Sequence, residues 1–227
     1  MGFLVKWLYP AYARCFCCGH PRLDEAGDHL CQNCRDALLQ LRLLGTSFAV
    51  ATIEKVYAPY RYEKQARELV HCLKYTSVRE AAHVLGDKMA ACLEGNAFDG
   101  LVPVPLHTAR QRERGFNQAE LLAQEVSRQT GIPVMDILTR TRETGQQARM
   151  GKEKRQSNLE GAFKVSGMVK DLKLLVVDDV CTTGATAKAC AKTLTQSGAR
   201  EVSLLVAAVT LKRAGGKDQN ATDANLM

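Results

Sequence analysis

The stretch LLVVDDVCTTGAT (174–186) decides the fold. Its apolar, partly β-branched start predicts a strand that is buried on both faces. Two adjacent carboxylates, Asp178 and Asp179, follow, and hydroxyl side chains around one glycine then open a helix. Like charges side by side at a strand end repel each other unless a partner binds them. The stretch therefore predicts a ligand site at the end of a core strand.

Strand and helix patterns alternate around this stretch. Continuous apolar strands separated by helices predict an α/β domain with a parallel sheet covered on both faces. We expect this domain over residues 50–211 and a disordered tail at 212–227, which has little to bury. The predicted strands are 53–63, 100–106, 133–140, 172–179 and 201–210, and the predicted helices are 63–75, 80–95, 117–131 and 186–199.

The composition of the chain indicates which binding partners and which cell compartment to expect. A chain of 227 residues with a net charge of +7 and a pI near 9.0 favours phosphates, nucleotides or nucleic acid as partners. The apolar patch in MGFLVKWLYPAYARC (1–15) is interrupted by Lys6, Pro10 and Arg14, which argues against a signal peptide or a membrane span. We therefore expect a cytoplasmic protein without a membrane partner. Clustered cysteines in that compartment indicate a metal site.

Residues 1–36 contain two C-x-x-C pairs separated by twelve residues. Each pair can present two thiolates to one tetrahedral zinc ion, so the segment predicts a small zinc ribbon. Because nothing else in the segment builds a core, we expect metal binding and folding to coincide. The alternative is a set of thiols without a metal. The expected ligands are Cys15, Cys18, Cys31 and Cys34, with Cys17, His20 and His29 as possible substitutes.

The turn after the acid pair suits a phosphate group. A helix N-terminus offers unpaired backbone N–H groups and a positive dipole end. Carboxylates accept hydrogen bonds from vicinal hydroxyls, so acids followed by such a turn predict a ribose that carries a 5′-phosphate. The alternative is an ordinary strand-to-helix turn with solvated acids. The expected ligand-binding residues are Asp178, Asp179, Thr182, Thr183, Gly184, Ala185 and Thr186.

The same stretch resembles the phosphoribosyl pyrophosphate (PRPP) motif of type I phosphoribosyltransferases. Four further segments resemble the ComF family of competence proteins, in which a zinc ribbon precedes a phosphoribosyltransferase domain. They are WLYPAYARCFCCG (7–19), ARELVHCLKY (66–75), VPVPLHTARQRERGFNQAELLA (102–123) and QARMGKEKRQSNLEGAF (147–163). The resemblance covers about residues 7–210.

This resemblance implies a type I phosphoribosyltransferase-like sheet, with Mg²⁺ accompanying PRPP as ligand. It also implies that the loops at 106–118 and 141–158 contact pyrophosphate and close over the site. Guanidinium groups there would bind phosphate oxygens, with a solvated basic surface as the alternative. The implied pyrophosphate-binding residues are Arg112, Arg114 and Arg155, and the implied catalytic residues are Asp178, Asp179, Arg114 and Arg155.

Three functions are compatible with these patterns. The first is a phosphoribosyltransferase that releases pyrophosphate, although no motif specifies the acceptor. The second is a protein that handles single-stranded DNA in natural competence together with competence machinery proteins. The third is a PRPP-sensing regulator without catalysis. Product formation distinguishes the first, and strand binding that persists in Asp178→Asn distinguishes the second from the third.

Two residues near the motif have competing interpretations. Cys181 lies close to a helix N-terminus, where the pKa of a thiol can fall, but a small tolerated side chain explains it better. Lys74 and Tyr75 match a ComF pattern, and a lysine that extends to solvent at a helix end explains them equally well.

Overall fold

The computed structural model describes residues 14–22, 29–43, 52–75, 78–106, 115–141 and 161–211. Arg112, Arg114 and Arg155 lie outside these ranges, as do most of the two expected loops and the expected C-terminal tail. The chain order of elements is α1 (Gln32–Gln40), β1 (Val56–Tyr57), β2 (Tyr60–Arg61), α2 (Lys64–Tyr75), α3 (Val78–Ala91), β3 (Gly100–Pro103), α4 (Gln118–Thr130), β4 (Leu138–Arg140), β5 (Phe163–Val165), β6 (Lys173–Cys181), α5 (Ala185–Gln196) and β7 (Glu201–Val209).

A five-stranded sheet forms the centre of the domain, in the order β1-β7-β6-β3, and β2 also pairs with β7. Every pairing in this sheet is parallel. The expected mostly parallel α/β sheet is thus confirmed. Its long central strands, β6 and β7, carry uninterrupted apolar runs, as strands covered on both faces require.

Helices cover both faces of this sheet. On one face, Leu175 and Val177 of β6 pack in a cluster with the apolar sides of α2, α3 and α4. On the other face, Leu174 and Val176 pack in a cluster that includes Cys190 of α5. Side chains alternate along a strand, so the odd and even positions of β6 belong to different halves of the core.

Two predicted strands are shorter than the sequence suggested. The stretch at 53–63 divides into β1 and β2 around Pro59, which has no N–H to donate to a ladder. Residues 133–137 form only one parallel bridge, between Val134 and Leu101, and β4 then pairs with β5 in a separate antiparallel sheet. Gly100 lies directly against Met135, where any Cβ would collide with the methionine side chain.

The cysteine-rich segment packs directly on the α/β domain. Helix α1 begins beyond Cys31 and continues to Gln40, so the expected segment boundary at residue 36 falls inside a helix. Leu30 and Leu38 belong to the same buried cluster as α2 and α3. No helix in the described parts of the chain is both long enough and apolar enough to cross a membrane.

Candidate functional site

The acid pair lies where β6 extends beyond its neighbour. The β3–β6 ladder ends at the pair Pro103–Val177, whereas β6 continues beside β7 as far as Cys181. Asp178 is aligned with Val206 of β7 in this extension. The carboxyl ends of parallel strands form the ligand-binding edge of open α/β sheets. Both acids therefore lie at the edge of the sheet at which a ligand is expected.

The two acids of the pair meet different neighbours but still interact. Asp179 contacts Lys74 of α2, whereas Asp178 lies beside the turn that precedes α5. The charge of Asp179 nonetheless raises the pKa of Asp178, so the repulsion that the sequence suggests persists in the folded chain.

Asp178 lies in a low-dielectric setting. Its Oδ1 accepts a hydrogen bond from the Asp179 backbone N–H at 2.8 Å. Burial, followed by the charge of Asp179, raises the pKa of Asp178 to about 8. Its carboxyl group therefore retains its proton at neutral pH and can donate as well as accept a hydrogen bond.

Asp179 forms an ion pair with Lys74 of α2. The Lys74 Nζ lies 2.5 Å from the Asp179 Oδ2, and the two side chains are 24% and 15% exposed. Lys74 therefore does not simply extend to solvent at its helix end. The sequence leaves its role open because no local pattern brings α2 next to the end of β6. The only signal is its match to the ComF pattern.

The turn after β6 leaves backbone donors at the start of α5. Gly184 is the N-cap residue, with a φ of 72°, a left-handed conformation that glycine adopts without strain. No N-cap side chain bonds to the first helical turn. The Thr183 Oγ1 accepts a hydrogen bond from the Ala185 N–H at 3.4 Å. The other N–H groups of this turn face an edge that suits an anion.

A small cavity connects this turn with Asp178, the first acid of the pair. Its volume is about 50 Å³, which is enough for only one or two water molecules. It therefore corresponds to one part of a ligand and not to a whole nucleotide-sized molecule. The lining residues relevant to the prediction are Asp178, Cys181, Thr182, Thr183, Gly184, Ala185 and Thr186.

Cys181 is a buried neighbour of this cavity. Burial, with a further contribution from Asp178, raises the pKa of its thiol. A raised pKa removes the activated-thiolate interpretation and leaves Cys181 as a small packing residue at the end of β6.

The expected pyrophosphate loop returns to the sheet through Asn117. Its Nδ2 donates to the Val104 carbonyl at 3.1 Å, and its Oδ1 accepts from the Ala119 N–H at 3.1 Å. Asn117 thus caps α4 and fastens the loop to the end of β3 at the same time. This gives a structural reason for an asparagine beside Gly115 and Phe116.

A wider groove lies between α1 and α3 and is distinct from the acid pair. It has a volume of about 540 Å³, and Leu38, Tyr60 and Val84 are among the residues that line it. Asp87 is its single acidic residue and pairs with Lys88 at 2.6 Å. The groove therefore lacks the donor and acceptor pattern of the strand end.

Four cysteine thiols meet in the N-terminal segment. The Sγ atoms of the cluster lie within 4.8 Å of one another, and those of Cys18 and Cys31 are 3.6 Å apart. Tetrahedral zinc with Zn–S bonds of about 2.3 Å requires sulfur atoms about 3.8 Å apart, so the cluster fits a zinc ion. Among the described residues, the side chains that together could hold a metal ion are those of Cys15, Cys18, Cys31 and Cys34.

Two of the three possible substitute ligands, Cys17 and His29, have contacts outside the cluster. Cys17 points toward α2, where its Sγ lies 4.0 Å from the Gln65 carbonyl oxygen. The His29 Nδ1 lies 3.1 Å from an Arg22 guanidinium nitrogen. The first knuckle closes through the Gly19 N–H, which donates to the Cys15 carbonyl at 2.7 Å. This turn directs Cys15 and Cys18 to one side of the knuckle.

Comparison with known proteins gives matches over large parts of the chain. Residues 116–227 match the family model of the phosphoribosyl transferase domain. The DNA utilization protein YhgH of Salmonella typhi is 37% identical, over 59% of this chain and 63% of its own length. Competence protein F of Haemophilus influenzae is 34% identical, over 57% of this chain and 55% of its own length.

A solved structure is similar to part of the chain. Glutamine PRPP amidotransferase from B. subtilis is 22% identical, with a TM-score of 0.42, over 61% of this chain and 30% of that chain. The chain spans less than two thirds of the length of the two curated relatives named above.

The parallel sheet, together with the matching domain, defines a type I phosphoribosyltransferase-like protein. The likeness to competence protein F and to DNA utilization proteins narrows this class further. The chain belongs to the ComF family.

Proposed function

We propose that the chain binds PRPP together with Mg²⁺. Asp178 and Asp179 would accept hydrogen bonds from the ribose hydroxyls, and residues 182–186 would bind the 5′-phosphate. The observation that carries this proposal is that Asp178 lines the same small cavity as the turn around Gly184. A ribose 5-phosphate needs acceptors and a phosphate site about one sugar apart, and the end of β6 offers both.

We further propose phosphoribosyl transfer as the reaction of this site. The C1–oxygen bond of PRPP would break with release of pyrophosphate, and C1 would bond to a nucleophile of the acceptor. Arg112, Arg114 and Arg155 would stabilise the charge that develops on the leaving group. The family-model match supports the reaction class, and the acceptor is left to experiment.

Calorimetry with PRPP and Mg²⁺ tests the ligand. Loss of a charged acceptor typically costs about 1.5–3 kcal/mol. Asp179→Asn should therefore weaken binding about ten- to a hundredfold, as should Asp178→Asn above about pH 8, where the Asp178 carboxyl group loses its proton. Asp171→Asn is the matched control because Asp171 precedes β6 at its other end, and asparagine tolerates its φ of 60°. Equal affinity in all four proteins would show that the site is elsewhere. Pyrophosphate release over a panel of bases and amines then tests transfer.

For the cysteine cluster we propose one structural zinc ion per chain. Four thiolates leave no open coordination position, which is typical of structural and not of catalytic zinc. The fit of the sulfur separations supports this proposal.

The second candidate function is the handling of single-stranded DNA in natural competence. The names of the relatives, DNA utilization protein and competence protein F, favour it, as does a net charge of +7. Binding to a single strand should weaken as salt is added because neutralised phosphates release counterions. Only 6% of residues are aromatic, so stacking contributes little and affinity should be modest. Binding that ignores salt would exclude this candidate.

A further inference from the structure

The ion pair between Lys74 and Asp179 brings a charged group from α2 to the acid site. Both partners are largely withdrawn from water, at 24% and 15% exposure. In such a setting the attraction between the charges is stronger than at an open surface, and either charge alone is unfavourable. Lys74 is therefore held at the end of β6 and is not free to extend to solvent.

A sugar at this site would compete with the lysine. Under the proposed function, ribose hydroxyls donate to the carboxylate that the Lys74 ammonium already contacts. PRPP also carries phosphate groups, which attract an ammonium. A lysine has three donors on a flexible four-carbon stem, so it can reach a second acceptor without leaving the first entirely.

We propose that Lys74 is a further PRPP-binding residue. On binding, its ammonium exchanges part of its contact with Asp179 for oxygens of the pyrophosphate group, while Asp179 accepts the ribose hydroxyls. This inference rests on the proposed function. The exchange leaves no buried charge without a partner at any stage. The assignment of Lys74 also extends the site to α2, a helix that precedes the region matched by the phosphoribosyl transferase model.

Calorimetry with two ligands tests this assignment. Lys74→Met keeps the apolar stem and removes the charge, and Lys74→Arg keeps the charge. Without the charge, PRPP with Mg²⁺ should bind about tenfold more weakly or worse, whereas ribose 5-phosphate, which lacks pyrophosphate, should change less than about threefold. Lys74→Arg should retain most of the PRPP affinity. Lys88→Met is the matched control, because Lys88 pairs with Asp87 on the exposed side of α3.

Two results would overturn the assignment, and a third would reject the proposed function. Unchanged PRPP affinity in Lys74→Met, or an equal loss for both ligands, would make the ion pair purely structural. A wild-type chain that binds neither ligand would instead reject the proposed function itself. Should Lys74→Met fail to fold, the double variant Lys74→Met, Asp179→Asn removes both charges. Its loss of PRPP affinity relative to Asp179→Asn then decides the question.

Discussion

The cysteine cluster and the acid site are held in place in different ways. The four cysteines lie on short turns and at the start of α1, and their thiols converge within 4.8 Å of one another. The acids and the Gly184 turn are instead part of a parallel sheet and the helix that follows it. Under the zinc proposal, the first site needs its metal in order to hold its shape. The second has its shape from the core before any ligand binds.

Helix α2 connects the two regions. The Cys72 Sγ lies 3.4 Å from the Phe16 carbonyl oxygen of the ribbon, and Lys74, two residues further along, pairs with Asp179. Damage to either region should therefore reach the other mainly through this helix and the side chains that pack around it. We therefore expect a substitution in either region to have a large effect on that region and a small effect on the other.

Loss of a zinc ligand should have the largest effect. Cys34→Ser should reduce the zinc content from about one ion per chain to nearly none, since structural zinc contributes about 10–16 kcal/mol in small ribbon peptides. The ribbon should then lose protection from proteolysis, whereas the sheet should keep its cooperative melting. Affinity for PRPP should fall only a few-fold. Metal analysis and limited proteolysis measure these effects.

Cys92→Ser is the control for this experiment. The Cys92 Sγ donates to the Lys88 carbonyl in α3, away from the cluster, so the variant should retain its zinc. Full zinc content in Cys34→Ser, or equal loss in both variants, would contradict the assigned ligands.

A change of pH should reveal the buried acid. The pKa of Asp178 is raised from 3.8 to about 8 in the folded chain, so the folded state holds a proton that the unfolded state releases above about pH 4. Stability should therefore fall as the pH rises from about 4 to about 8. A pKa difference of 1 between the folded and unfolded states corresponds to about 1.4 kcal/mol, or about 3–6 °C in Tm at this size. Asp178→Asn should thus melt higher than wild type at pH 8 and should differ little at pH 4.

Thermal melts of both proteins across this range measure the effect. Identical pH dependence in wild type and Asp178→Asn would show that Asp178 is ionised at neutral pH. A gain in stability together with a loss of PRPP affinity would instead mark Asp178 as a residue retained for binding.

Thr183→Ala should have the smallest effect. Thr183 is exposed, and its hydroxyl makes one long bond to the Ala185 N–H, so stability should change by less than about 1 kcal/mol. PRPP affinity should fall about two- to tenfold if this hydroxyl binds the 5′-phosphate. A loss as large as that of Asp179→Asn would show that the turn contributes as much to binding as the acid does.

Much of the fold followed from the sequence. The apolar run before the acids predicted β6, and the residues that flank α4, Asn117 and Gly131, predicted its ends to within a residue. The stretch at 133–140 was harder because its register depends on the contact of Met135 with Gly100. Helix α1 was not predicted because the spacing of the cysteines assigned the start of this region to a zinc ribbon.

The candidate site was less predictable than the fold. Spacing identified the cysteines as a group because their ligand geometry is local. Nothing local indicated which neighbours Asp178 and Asp179 meet, since those depend on how far β6 extends beyond β3 and on the packing of α2. The partner of Asp179 comes from α2, which only tertiary packing brings near.

A titration of ¹⁵N-labelled chain with PRPP and Mg²⁺ would map ligand binding residue by residue. We expect saturable shifts of the amide resonances at residues 178–187 and in the last turn of α2, near Lys74. The groove residues Leu38 and Val84 should be unaffected, as should Glu54 and Glu201 at the other end of the sheet. Shifts centred on the groove, or no shifts at all, would contradict the claim that the end of β6 binds a ribose phosphate.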